Sequence, residues 1–124
     1  MPIAYWCVLI AALLPLCVAA YAKSGSRDNN APRDSAEGLA GAKRRAYAAH
    51  QNGFENFPFF AVAVIAAIAF GAATPLLNGL ALLYLAFRIV HAVLYIADKP
   101  TWRSASYAGG LFTNIAIFVL PALK

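Results

Sequence analysis

Apolar positions along the chain gather into four blocks, and each is long enough to cross a bilayer, which takes about 20 residues of helix. The first covers residues 2–22 and contains no charged side chain. The second, residues 57–73, is the membrane part of a longer helix that the pattern starts near Ser35. The third covers residues 76–96 and the fourth residues 104–123. No apolar-polar alternation of period two recurs, so a membrane β-barrel is excluded. The pattern predicts an all-α fold, an integral membrane four-helix bundle in a single domain spanning residues 1–124.

The joints between blocks carry their own signals. Residues 23–33 read Lys-Ser-Gly-Ser-Arg-Asp-Asn-Asn-Ala-Pro-Arg, too polar to pack and rich in turn formers, so they form an exposed loop. Asp34 with Glu37 three residues later is a capping arrangement that places the second helix start near Ser35. Gly38, Gly41 and Gly53 weaken that helix, and Pro58 removes the hydrogen bond to the Phe54 carbonyl, which predicts a kink beside Glu55. Pro15 predicts a kink in the first helix. An uncharged turn lies near residues 73–79. Asp98-Lys-Pro-Thr-Trp-Arg103 is a tight polar connection. A cleaved secretory signal ending at Ala20-Tyr21-Ala22 is the rival for the first block, but no basic residue precedes the apolar core and the core is long for a signal. Tyr5 and Trp6 suit an interfacial aromatic belt.

Composition agrees with the pattern. Of the 124 residues, 62% are hydrophobic and the mean hydropathy is +0.65, far above the roughly 45–50% apolar content of soluble domains. A net charge of +5 in a soluble chain would suggest nucleic acid, but six of the ten basic residues lie between Lys23 and Arg45. Lys99 and Arg103 mark the third connection, and the second carries none. Both basic loops fall on one side of a four-span protein, which the positive-inside rule assigns to the cytoplasm. Both termini are then expected away from it, in the inner membrane if the source is bacterial. Cys7 and Cys17 share the first block. Ten residues of helix hold them about 15 Å apart, too far for a disulfide, so both are expected to be buried inert thiols.

Candidate chemistry lies on two helical stripes. Arg45, Ala48, Asn52 and Glu55 recur at steps of three, four and three, with Tyr47 and His50 off that line. Tyr84, Arg88, His91 and Tyr95 recur at four, three and four. Ionisable groups cost roughly 2.5–3.5 kcal/mol at the centre of a membrane helix, so such stripes face protein or a wet cavity. A purely structural account pairs Glu55 with Arg88, uses Asn52 as a helix-to-helix hydrogen bond and makes His91 a packing residue. That account leaves the gathering of Arg45, His50, His91, Tyr95 and Arg103 unexplained. Two histidines without a close second carboxylate make no metal ligand set. No nucleophile-base signature, phosphate loop or nucleic-acid module is present. Ala105, Gly109 and Thr113, at four-residue spacing, let another helix approach closely.

The string Ala49-His-Gln-Asn52-Gly-Phe-Glu55-Asn-Phe-Pro58 before an apolar span resembles the second-helix motif of the MAPEG family, the membrane-associated proteins of eicosanoid and glutathione metabolism. Arg88-Ile-Val-His91-Ala-Val-Leu-Tyr95, followed by Pro100-Thr-Trp-Arg103-Ser104, is similar to the third helix and following turn of that family. The resemblance implies a homotrimer in the lipid bilayer, with glutathione as co-substrate bound between subunits near the cytoplasmic face. It further implies that Asn52, Glu55, Arg88 and Tyr95 contact glutathione, Glu55 through its free amino group, and that Arg103 holds the sulfur as thiolate. His50 and His91 occupy positions that are often polar or aromatic in the family. Relatives place an arginine four residues before the motif Asn, where this chain has Ala48; Arg45, one turn earlier, is the nearest substitute. The function implied is a glutathione transferase or peroxidase acting on lipophilic electrophiles drawn from the bilayer. The alternative is a non-catalytic member of the same fold that binds lipid or scaffolds a partner. A carrier is disfavoured by the lack of an inverted repeat.

Overall fold

The computed structural model describes residues 1–24 and 39–123. Four long helices follow in order: α1 (Ile3–Ala22), α2 (Gly41–Ala69), α3 (Pro75–Ile96) and α4 (Pro100–Val119), the last continued by a 3-10 turn at Leu120–Leu123. All four are long and apolar enough to cross a membrane, so the chain is a multi-pass integral membrane protein. α1 and α2 run unbroken through Pro15 and Pro58.

The helix boundaries have local causes. The cap expected at Asp34 and Glu37 lies outside the described residues, but the helix entering the bilayer starts later than Ser35. Ala40 is extended, with φ −139° and ψ 162°, and Gly41 has φ 60°, a left-handed conformation that only glycine adopts at no steric cost. The expected end at residue 73 moves to Ala69. There Gly71, at φ 82°, sends its own N–H to the Ile68 carbonyl at 3.1 Å, and the Ala72 N–H reaches the Ala67 carbonyl at 2.8 Å. This is a Schellman motif, which satisfies carbonyls that the helix end leaves free. Thr74 then accepts from the Leu77 N–H at 3.4 Å, and Pro75 takes the first position of α3, where its missing N–H costs nothing.

The α3–α4 joint repeats the device with a different residue. The Asp98 N–H reaches the Tyr95 carbonyl at 3.2 Å and the Lys99 N–H the Leu94 carbonyl at 3.0 Å. Asp98, at φ 61°, occupies the left-handed position that usually takes glycine; its short polar side chain tolerates it. Pro100 starts α4 at once, so two antiparallel helices are joined by three residues.

Packing uses small residues, as bilayer helices must where lipid offers no hydrophobic drive between them. Ala4, Cys7, Ala11 and Pro15 form the buried stripe of α1, and Ala63, Val64 and Ala67 that of α2. Phe60, fully buried, stacks on Tyr84 at 4.0 Å and 13°. A Cβ on Gly53 would lie 2.8 Å from Pro15 Cγ, so the absence of a side chain lets α2 close onto α1. Gly109 is covered by the ring of Phe87 from α3, and an added Cβ would clash with Phe87 Cε1. Outward positions such as Val62, Phe70 and Phe112 are large, apolar and exposed, as lipid contact requires. Cys17 departs from expectation: both thiols are free, but only Cys7 is buried, because Cys17 lies off the α1 stripe of positions 4, 7, 11 and 15.

Candidate functional site

The short α3–α4 joint brings the last turn of one helix against the first turn of the next. Arg103 therefore lies over Tyr95, its Cζ 4.4 Å from the ring centroid, within cation–π range. One turn before Tyr95 comes His91, 3% exposed. Its ring meets Tyr95 edge-on at 5.7 Å and tilts against Tyr107 at 6.1 Å. Its buried Nδ1 has no hydrogen-bond partner, a cost that burial imposes unless a ligand or water supplies the bond. Asn52 of α2 completes the wall. These four residues, with Ser104 and Tyr107, line a polar pocket of about 220 Å³ at the basic end of the bundle.

Arg88 stands one turn behind the pocket and is buried. Its Nη2 donates to Asn52 Oδ1 at 2.8 Å. The amide nitrogen of Asn56 donates to the Asn52 backbone carbonyl at 2.8 Å and to the same Oδ1 at 3.3 Å. Two donors on Oδ1 fix the Asn52 amide, leaving its Nδ2 as the group with donors to offer elsewhere. A small cavity of about 20 Å³ beside Arg88, Tyr84, Gly53 and Pro15 has room for one water.

Three sequence candidates lie apart from this pocket. Arg45 donates from Nε to the Ile96 carbonyl at 3.0 Å, and Lys43 donates to the Ser24 carbonyl at 2.6 Å. Both cations thus sit where carbonyls at helix ends α3 and α1 are unsatisfied and the helix dipole is negative. His50 donates from Nδ1 to the Pro15 carbonyl at 2.9 Å, while its ring packs edge-on against Phe54 at 4.9 Å. Glu55 is exposed and is not the partner of Arg88. The expected Glu55–Arg88 pair fails because three residues of helix turn Glu55 about 60° away from Asn52. Ser104 and Tyr107 are the lining residues that the stripes missed. The four-residue step from Arg103 to Tyr107 is the signal that points to the latter.

A protein-family model, the MAPEG family, matches residues 3–123. The chain belongs to the MAPEG family. No curated protein and no solved structure gives a significant match. MAPEG proteins include glutathione transferases and peroxidases as well as non-catalytic members. Among the described residues, the pocket of this MAPEG protein is walled by amide, imidazole, phenol, hydroxyl and guanidinium groups, without a carboxylate. Such a donor-rich wall with a fixed cation suits an anionic ligand.

Proposed function

We propose that this MAPEG protein is a glutathione-dependent transferase or peroxidase acting on lipophilic electrophiles that reach it through the bilayer. The observation that carries this reading is Arg103, seated over Tyr95 at the edge of a carboxylate-free pocket. A free thiol titrates near 8.5 and its thiolate is the nucleophile, so a donor fixed at the sulfur raises the reactive fraction at neutral pH. Arg103 has that part. Its guanidinium holds the sulfur anion after the thiol proton leaves to water; the sulfur lone pair then bonds to the electrophilic atom as the bond to its leaving group breaks, or as its π bond opens and takes a proton from water. With a hydroperoxide the O–O bond breaks, the alkoxide takes a proton from water, and a second glutathione reduces the sulfenic acid to disulfide and water. Tyr95, Asn52 and the unpartnered Nδ1 of His91 orient the peptide. Arg88 acts as a positioning residue, fixing the Asn52 amide from behind.

Glu55, exposed on the protomer, supports a homotrimer in which a neighbouring copy covers it and brings it to the glutathione amino group. The basic pocket end then faces the cytoplasm, where glutathione is available, and both termini face away. Calorimetric titration of the detergent-purified protein with glutathione tests the reading. Saturable binding in a particle of trimer mass is the expected outcome; no binding heat, with trimer mass intact, overturns it. One observation favours the second reading, a non-catalytic lipid-binding or scaffold protein. Position 48 is alanine, and Arg45, the nearest cation on that stripe, is engaged by the Ile96 carbonyl.

A further inference from the structure

The α3–α4 hairpin has a second concave side. On α3, Leu83, Phe87, Val90 and Leu94 recur at four, three and four, and each immediately precedes a residue of the polar stripe. One residue of helix is a rotation of about 100°, so this row faces away from the polar pocket. On α4, Trp102 and Ala105 form the facing wall. Between them lies a groove of about 360 Å³. Both of its walls belong to membrane-crossing helices.

From this groove we infer that the protein binds one anionic glycerophospholipid, an acyl chain filling the groove and the phosphate beside Lys99. Length is the first support. The eleven helical steps of α3 from Leu83 to Leu94 span about 16 Å along the helix, close to half of the roughly 30 Å hydrocarbon core, or one leaflet. Lining is the second. Leu83, Phe87, Val90 and Leu94 face Trp102 and Ala105 across the groove, an apolar surface that suits a hydrocarbon chain. Chemistry is the third. The Ser106 hydroxyl on this wall already donates to the Arg103 carbonyl at 2.8 Å, so it has no free donor to offer a protein partner. The polar end has the markers of a headgroup level. Trp102 is 69% exposed, an amphipathic ring of the interfacial kind, and Lys99, exposed, immediately precedes α4. A lysine there attracts an anionic headgroup.

Native mass spectrometry of the full chain in mild detergent, with dioleoyl phosphatidylglycerol added, tests the inference. One retained lipid per protomer is expected. Filling the groove with Ala86→Leu and Ala105→Leu together should lower the retained fraction by about tenfold or more, since the displaced methylenes lose their burial. Lys99→Gln should lower it by about fivefold. Circular dichroism verifies the fold of each variant, and Ala105→Leu alone serves if the double variant loses helix. Undiminished lipid retention in the filled variant overturns the site. So does a filled variant whose oligomer mass falls while the wild type retains no lipid, since the groove is then an interface between copies. Neither result depends on whether glutathione binds.

Discussion

Arg88 donates to Asn52 Oδ1 at 2.8 Å, and this bond, rather than an ion pair with Glu55, is how α3 keeps a buried guanidinium in the membrane. The amide accepts without bringing a second charge, so the bundle carries one desolvated ion there instead of two. The same bond fixes the pocket wall that Asn52 presents.

Asn52→Leu leaves Arg88 without its acceptor and should destabilise the protein by about 2 kcal/mol, within the range for hydrogen bonds to charged groups. Glu55→Gln, exposed on the protomer and away from Arg88, should change the stability of the protomer fold by less than about 0.5 kcal/mol. Denaturant titration of both variants in the same detergent checks the contrast. A loss in Glu55→Gln as large as that in Asn52→Leu would show that Glu55 also supports Arg88.

The three-residue α3–α4 joint makes a second prediction. Asp98 holds φ 61°, so Asp98→Gly should match or exceed wild-type stability, while Asp98→Val should cost roughly 1–2 kcal/mol. Because the joint sets Arg103 over Tyr95, the valine variant should also lose more glutathione conjugation than its stability loss explains. Unchanged melting in Asp98→Val would mean that the turn is not constrained as described.

Gly109 and Phe87 give a third. Gly109→Ala forces the Phe87 ring aside and should cost about 1–3 kcal/mol by overpacking. Adding Phe87→Leu should recover part of that loss, a coupling that a double-mutant cycle resolves. Additive losses in the double variant would remove the contact as the cause.

Much of this was legible in the sequence, and the misses share a physical origin. Block lengths anticipated the four long apolar helices, because bilayer thickness leaves little freedom. His91 and Tyr95 of the α3 stripe line one pocket with Arg103 of α4, since a four-residue step and a short joint fix their neighbourhood. Arg45, His50 and Glu55 were harder. Their surroundings depend on which helix end or proline carbonyl a neighbour presents, and periodicity within one helix does not encode that. Pro15 illustrates the difficulty: a residue expected to bend α1 turns out to offer its carbonyl to His50 and its ring to the gap at Gly53. Helix ends were displaced for a related reason. Gly41, Gly71 and Asp98 act through a single left-handed residue, which hydropathy does not register.

Arg103 separates the enzyme from the non-catalytic reading. Its side chain lies at the start of α4, half-buried, and its contact with Tyr95 is a cation–π contact near the polar end. Arg103→Ala should therefore change melting temperature little, since an accessible cation–π pair contributes about 0.5–1 kcal/mol. Glutathione conjugation to a lipophilic model electrophile should fall by about 100-fold, the effect of losing two units of thiol acidification at 1.36 kcal/mol each. The thiolate absorbance of bound glutathione should vanish with it. Arg103→Lys keeps the charge but loses the planar fork, so it should recover only a small part of the rate. Lysine restoring full turnover would reduce the role of Arg103 to a point charge. No wild-type turnover at all, with glutathione bound, would assign the pocket to a binding protein.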